Sequence, residues 1–298
     1  MNELCAPLDV GDTGAVIPTA SLLPAEVAAA ERAALASAAF DGPRQRPDGT
    51  RTTIRGQHTI IKVQHRRHER LETMLRLERM RQEAGVRAPR LLDHGTVPTP
   101  EGQAWWVVHT FHDGQPGDRP TAAQQRALGD QLRRWHDHGP AGGLRLDGPG
   151  ALGVLLGTAR RLAPGAYAEI SKRFDDACRG RRMTAIHGDL AVGHNVLFQG
   201  DELVAVLDPG AVDIGPPMLD LAWAMAVDLP HGAAPGPLLD GYGPIDSEAL
   251  DVVLPLMMLR RLIDTFDEDG PNDGPWLTGW LDQHSPELLD LVPSVPEA

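Results

Sequence analysis

Three oxygen-bearing side chains recur within one stretch, Ile186 to Gly210, which reads I-H-G-D-L-A-V-G-H-N-V-L-F-Q-G-D-E-L-V-A-V-L-D-P-G. Asp189 follows His187-Gly188, Asn195 comes six positions later, and Asp208 thirteen after that, past a pair of short apolar strands. A hairpin there would bring all three to one end. One carboxylate to orient a hydroxyl, with an amide and a second carboxylate to hold Mg²⁺, is what phosphoryl transfer from a nucleotide needs. Asp189 would accept a hydrogen bond from the attacking hydroxyl and hold it in line with the γ-phosphorus. Asn195 offers a neutral oxygen that adds no repulsion beside phosphates, and Asp208 would bridge metal to the β- and γ-phosphate oxygens. His187 reads as structural, bonding backbone carbonyls around the loop. The plainer alternative makes Asp208-Pro209-Gly210 a simple turn, since D-P-G is strong turn chemistry. That alternative accounts for Asp208 but not for the series.

A phosphate-binding cation is the next requirement. Lys62 lies in T-I-I-K-V, an apolar strand with a single cation, and a charged helix follows it. An acidic residue on that helix could aim the ammonium at the α- and β-phosphates. Glu72 and Glu78 are both candidates; Glu78 shares a face with Leu71, Met74 and Leu75, and Glu72 lies nearer the helix start. His65, His68, His136 and His138 lack the pairing of a zinc cluster and read as ordinary histidines. Trp105, Trp106 and Trp135 read as core.

The elements that must position these residues fall into two groups. Residues 1–20 show no periodicity and read as a loose tail, and an Ala-rich helix is expected from about Pro24 to Phe40. Gly42–Gly49 reads as loop. Short strands are expected at Arg51–Ile54 and Thr59–Val63, joined around Gly56, then a helix over His65–Ala84 ended by Gly85. Further strands follow Ala88–Leu92 and occupy Ala104–Thr110. Beyond Asp113-Gly114 the texture turns helical. Leu128, Leu132 and Trp135 make an amphipathic stripe within Thr121–His138, followed by a Gly/Pro-rich connection at 139–157. Helices are expected near Ala166–Arg179, from Asp220 to Val227 and over Leu250–Phe266, with Gly232–Pro244 and Gly270–Pro275 as loops. The plan is a small lobe, residues 1–110, binding nucleotide, and a larger one, 111–298, for catalysis and acceptor binding, with a hinge near 110–114.

Composition narrows the partners. The chain has 298 residues, 42% of them hydrophobic, and a net charge of −13. Such acidity disfavours nucleic acid, whose phosphates reward a basic face, and fits a cationic small molecule. No apolar run approaches the about 18 residues of a membrane span, and the first residues lack the character of a signal peptide. Two cysteines, Cys5 and Cys178, give no disulfide framework, which points to reduced thiols and a cytoplasmic protein.

H-G-D-L (187–190), N-V-L-F (195–198), L-D-P-G (207–210) and D-I-G-P-P-M-L-D-L-A (213–222) together resemble the aminoglycoside phosphotransferase family. L-G-D-Q-L-R-R-W-H (128–136) and E-A-G-V-R-A-P-R-L-L (83–92) add to the resemblance, which spans roughly residues 50–225. It implies an α+β, two-lobed protein-kinase-like fold: a small antiparallel sheet with one key helix, then a mainly helical lobe. It further implies ATP, or GTP, with Mg²⁺ as cofactors and a hydroxyl-bearing small molecule, plausibly an antibiotic, as acceptor. In that scheme Asp189 is the catalytic base or orienter, and Lys62 the phosphate lysine with Glu72 favoured as its partner. Asn195 and Asp208 are Mg²⁺ ligands, Asp220 braces the catalytic loop, and the Thr110 carbonyl and His112 amide bind adenine. The family spaces its catalytic Asp and Asn five apart; here His194 occupies the fifth position and Asn195 the sixth, so either could be the ligand. Pro209 replaces a common aromatic. Two rival functions share the motifs: a kinase of Ser/Thr hydroxyls in a peptide, and a non-catalytic kinase-like scaffold. The acidic run Asp264, Asp267, Glu268, Asp269 and Asp273 either lines an acceptor site or is a solvated loop.

Overall fold

A computed structural model describes residues 44–45, 51–55, 59–64, 69–99, 102–117, 119–138, 167–208, 213–265 and 273–290. The helix expected at 24–40 and the 139–157 connection lie outside those residues. The chain divides into two compact units, one formed by residues up to Gln82 together with Ala88–Gly114, the other by Glu83–Arg87 and everything from Gln115.

The first unit is an antiparallel sheet of five strands: β1 (Arg44–Gln45), β2 (Arg51–Arg55), β3 (Thr59–Gln64), β4 (Leu91–Thr99) and β5 (Gly102–Thr110), in the order β1-β2-β3-β5-β4. Arg44–Gln45 was expected as loop, but it pairs with Thr53 and Ile54 and extends the sheet edge. Among the described residues one helix, α1 (Glu69–Glu83), completes the unit. Its residue Leu71 packs on Trp105 and Val107 of β5, with Met74, Leu75 and Leu91 alongside. Lys62 stands opposite Val107 in the β3–β5 register. Directly paired residues share a face, so the lysine projects on the side that α1 covers.

The second unit is mainly helical. Its helices are α2 (Ala122–Asp137), α3 (Tyr167–Cys178), α4 (Met218–Asp228), α5 (Pro235–Tyr242), α6 (Ser247–Asp264), α7 (Gly274–His284) and α8 (Pro286–Leu289). Two small ribbons insert between them: β6 (Thr184–Ile186) with β9 (Asp213–Gly215), and β7 (Val196–Gln199) with β8 (Glu202–Val206). Helix α2 begins with a reciprocal cap, in which Thr121 Oγ1 accepts from the Gln124 amide and Gln124 Oε1 from the Thr121 amide. The stripe expected on α2 is buried: Leu128, Leu132 and Trp135 all lie in the core. Helix α4 is apolar nearly all round and, apart from Met218, buried along its length, as a central core helix must be.

Two loop expectations fail in this unit. Residues 235–242 form α5, and Gly274-Pro275, expected as loop, open α7. In both helices proline sits in the first turn, where its missing N–H costs nothing. What read as a breaker is a start signal. Helix α5 is held by near-contact with α2: a Cβ at Gly129 would overlap the Leu238 carbonyl oxygen, and one at Gly241 the Arg126 carbonyl oxygen. Gly129→Ala should therefore destabilise the protein by about 1–3 kcal/mol, the usual cost of overpacking, despite alanine's better helix propensity. A denaturation midpoint equal to or above wild type would contradict this packing.

Candidate active site

The loop from His187 to His194 is suspended from α4 at both ends. Asp220, fully buried in the first turn of α4, accepts from the amides of His187 (2.8 Å) and Gly188 (2.7 Å). Asp228, at the other end of the same helix, accepts from Val192 N (3.0 Å) and Gly193 N (3.4 Å). Burial and amides affect these two carboxyls differently. Burial pushes Asp220 up, but the bond to His136 and the charges of His136 and His187, with the Gly188 amide, outweigh it, and its pKa lies below the ordinary value. For Asp228 burial prevails over the Val192 and Gly193 amides and the His194 charge, and its pKa is pushed up to about 7.

His136 extends the support on the Asp220 side. Its Nε2 is 2.9 Å from Asp220 Oδ2 and its Nδ1 3.0 Å from the Tyr242 hydroxyl, with the imidazole and carboxylate fully buried. His187 behaves as its sequence context predicts: Nε2–H donates to the Leu207 carbonyl at 2.9 Å. Arg260 of α6 stacks over Trp223, 3.7 Å from the ring centroid, and donates to the Gly188 carbonyl at 3.1 Å. A buried cation thus lies against the loop that carries Asp189.

Asp189 stands at the centre of this frame with about a quarter of its side chain exposed (23%). Its Oδ2 is 3.0 Å from His194 Nε2 and accepts from Asn195 Nδ2 at 3.1 Å; the same amide also reaches the Asp189 carbonyl at 3.0 Å. No hydrogen bond among the described residues reaches Oδ1. The carboxylate is therefore fixed through one oxygen and open at the other, the state in which it can accept a hydrogen bond from a hydroxyl.

The β7–β8 hairpin places the other two residues. Val196 pairs with Val206, and Leu207 N donates to the Asn195 carbonyl at 2.8 Å, so Asn195 and Asp208 leave the same end of one ribbon. They are also the two non-glycine residues with positive φ among those described, at 59° and 43°. Asn and Asp tolerate the left-handed region better than most residues, yet it remains unfavourable and clusters at functional sites. Because Asn195 spends its NH₂ group on Asp189, its Oδ1 is directed elsewhere. That oxygen and the Asp208 carboxylate are hard donors at one ribbon end, and they fit Mg²⁺, which takes one or two protein oxygens and completes its shell with phosphates and water. His194, the alternative at the fifth position, instead faces Asp189.

In the first unit the two candidate glutamates differ in burial. Glu72 is exposed, whereas Glu78 is buried, 3.2 Å from His109 Nε2 and 3.3 Å from Arg81. Burial raises the Glu78 pKa, but His109, Arg81 and Lys62 together bring it below its usual value. The carboxylate that feels the Lys62 charge is the one on the sheet-facing side of α1, as its company with Leu71 and Met74 requires. Thr110 and His112 lie where β5 ends. The Thr110 hydroxyl, which accepts from Arg90 N at 2.9 Å, is 3.1 Å from His112 Nε2. Of the acidic run, Asp273 pairs with Arg261 (2.9 Å) and Asp264 lies 3.7 Å from Arg260; residues 267–269 lie outside the described residues.

His136, Asp228 and Arg260 were not anticipated as supports of the site. The signal for His136 was its place at the end of the 128–136 motif. Asp228 and Arg260 carry no local signal.

A small antiparallel sheet with one helix, followed by a helical unit whose H-G-D loop and hairpin gather Asp189, Asn195 and Asp208, is a protein-kinase-like architecture. The sequence profile of the phosphotransferase enzyme family (APH) matches residues 49–251, and the chain belongs to that family. It is a phosphotransferase acting on an alcohol group of a small molecule. The fold is similar to that of macrolide 2'-phosphotransferase MphH from Brachybacterium faecium, at 17% identity over 91% of this chain and 99% of that one, with a TM-score of 0.57. A choline/ethanolamine kinase family protein from Mesorhizobium loti is similar at 18% identity, over 89% and 94% of the two chains, with a TM-score of 0.56. The streptomycin–ATP ternary complex of APH(2")-IIa is similar at 13% identity, over 83% and 91%, with a TM-score of 0.52. A comparison with curated proteins finds no match. No helix among the described residues is long and apolar enough to cross a membrane.

Proposed function

We propose that the protein transfers the γ-phosphate of ATP, with Mg²⁺, to a hydroxyl of an antibiotic or similar small molecule. The observation that carries this reading is the Asp189 carboxylate, held through Oδ2 by His194 and Asn195 and open at Oδ1. Asp189 would align the acceptor hydroxyl and take its proton as the phosphoryl group leaves ADP, so that catalysis is mainly positioning and charge neutralisation. Lys62, with Glu78 as its carboxylate, would neutralise the α- and β-phosphates, and the Thr110 carbonyl and His112 amide would receive the base. Asn195 and Asp208 would hold the Mg²⁺, which when bound supplies positive charge to the β- and γ-phosphate oxygens. Support for ATP and for an antibiotic acceptor comes from the kinds of protein that share the fold, among them one solved with both streptomycin and ATP.

The test is a screen of antibiotic classes for ATP-dependent modification, with mass spectrometry for one added phosphate; GTP is run beside ATP. Failure of every class to gain phosphate, with either nucleotide, would overturn the antibiotic assignment. The metal assignment has its own test. Asp208→Ala should weaken calorimetric binding of ATP by at least about tenfold when Mg²⁺ is present and change it little in EDTA, because a lost charged ligand costs on the order of 1.4 kcal/mol or more. Equal Mg²⁺-dependent affinity in both proteins would remove Asp208 from the metal site.

A further inference from the structure

Within the second unit, away from Asp189, a cavity of about 530 Å³ is walled by Arg133 of α2, by Arg179, Arg181 and Arg182 of the α3–β6 turn, and by Tyr242 and Asp246. None of Asp189, Asn195 or Asp208 lines it. Its size suits a small molecule, whose sites run roughly 300–1,000 Å³. Met218 and Ile245 add apolar surface beside the Tyr242 ring.

Four guanidinium groups around one cavity are unexpected in a chain of net charge −13. Of the carboxylates that answer them, only Asp246, paired with Arg181, lies in the wall. Asp137 is shared between Arg133 and Arg182, and Asp176 bonds Arg179 at 2.9 Å. Among the described residues the four arginines therefore exceed their three carboxylate partners by one charge. Each guanidinium also carries more donors than these bonds use. Some of the groups are held in place: Arg182 Nη2 donates to the His136 carbonyl at 2.7 Å, and Arg133 lies over the Tyr242 ring, 5.5 Å from its centroid. Arg179 and Arg182 keep 77% and 54% of their side chains exposed, so they stand at the mouth. Pre-positioned arginine forks beside an aromatic wall suit an oxyanion attached to a flat or apolar body.

We propose that this cavity is a second ligand site, separate from the catalytic carboxylate, and that it takes a small phosphate monoester. The phosphate engages Arg179, Arg181 and Arg182, and the organic part lies against Tyr242 and Met218. Such a ligand touches the far end of the chain Tyr242–His136–Asp220, whose near end holds the His187 and Gly188 amides.

Calorimetric titration of phenyl phosphate and of phenol into the full chain tests the site. Phenyl phosphate should bind wild type at millimolar concentration or below, and phenol should not. The Arg179→Gln/Arg182→Gln variant should bind phenyl phosphate at least tenfold more weakly while melting at the wild-type temperature. If the double variant melts early, Arg179→Gln alone serves, its side chain being the most exposed, with a weakening of at least threefold expected. The proposal is overturned if wild type does not bind phenyl phosphate at millimolar concentration, if phenol binds equally well, or if the folded variant used binds phenyl phosphate with unchanged affinity. That last result also covers binding at the proposed catalytic site, none of whose candidate residues is substituted.

Discussion

Replacing Asp189 by alanine is expected to lower turnover by about 10²–10⁴-fold, the range for loss of a positioned proton acceptor, while the affinity for nucleotide stays within about threefold of wild type. The split follows from the geometry. In the proposed reading the carboxylate serves the acceptor hydroxyl rather than the nucleotide, and its open Oδ1 is the atom that would meet it. Little stability should be lost, because the side chain is partly exposed and the loop is secured by bonds that Asp189 does not make. Single-turnover measurements with an acceptor found by screening, alongside calorimetric titration of ATP, separate the two effects. Turnover within tenfold of wild type would remove the assignment.

Asp220→Ala is the second large effect, and it falls on stability. The substitution strips three donors at once, the amides of His187 and Gly188 and the His136 imidazole, in a place that water does not reach. Leaving buried donors without their acceptor costs about 1–3 kcal/mol each, together a large share of the about 5–15 kcal/mol that typical proteins possess. The pH dependence follows from the depressed pKa. A carboxyl whose folded value lies below its ordinary 3.8 contributes stability that is complete well above that value. This contribution disappears as pH falls from about 3.8 through the lower folded value, since the unfolded chain takes up the proton first. The gap between wild type and Asp220→Ala in chemical denaturation should be full at neutral pH and narrow in acid. A gap under 1 kcal/mol at neutral pH would mean the frame does not depend on this carboxylate.

Much of the fold was legible because it rests on local signals. The apolar runs T-I-I-K-V and W-W-V-V gave the central strands, and the Leu128–Leu132–Trp135 stripe gave α2 within a residue at each end. Helix α5 was missed because its Gly and Pro carry opposite meanings in loops and in helix first turns; only the tight approach to α2 decides between them. The Asp189–Asn195–Asp208 series was readable because its members are separated by one hairpin. His136, Asp228 and Arg260 come from three different helices: Asp228 meets loop amides 35 and 36 positions away, Arg260 a loop carbonyl 72 away, and His136 meets Asp220 across 84, and no spacing rule links them. Glu78 was a stated alternative whose inward face was visible in the sequence, whereas the resemblance favoured Glu72; Glu78 is the one that packing buries.

Suspension of the H-G-D loop from the two ends of α4 also bears on where the chain can vary. Val192 and Gly193 answer to α4 through backbone amides, which every residue but proline supplies, so a change at the exposed Gly193 need not disturb the Asp189 carboxylate. The buried run Leu221-Ala222-Trp223-Ala224 has no such latitude. Ala222 and Ala224 are fully buried, so a larger side chain at either would strain the packing of the helix that holds the loop amides.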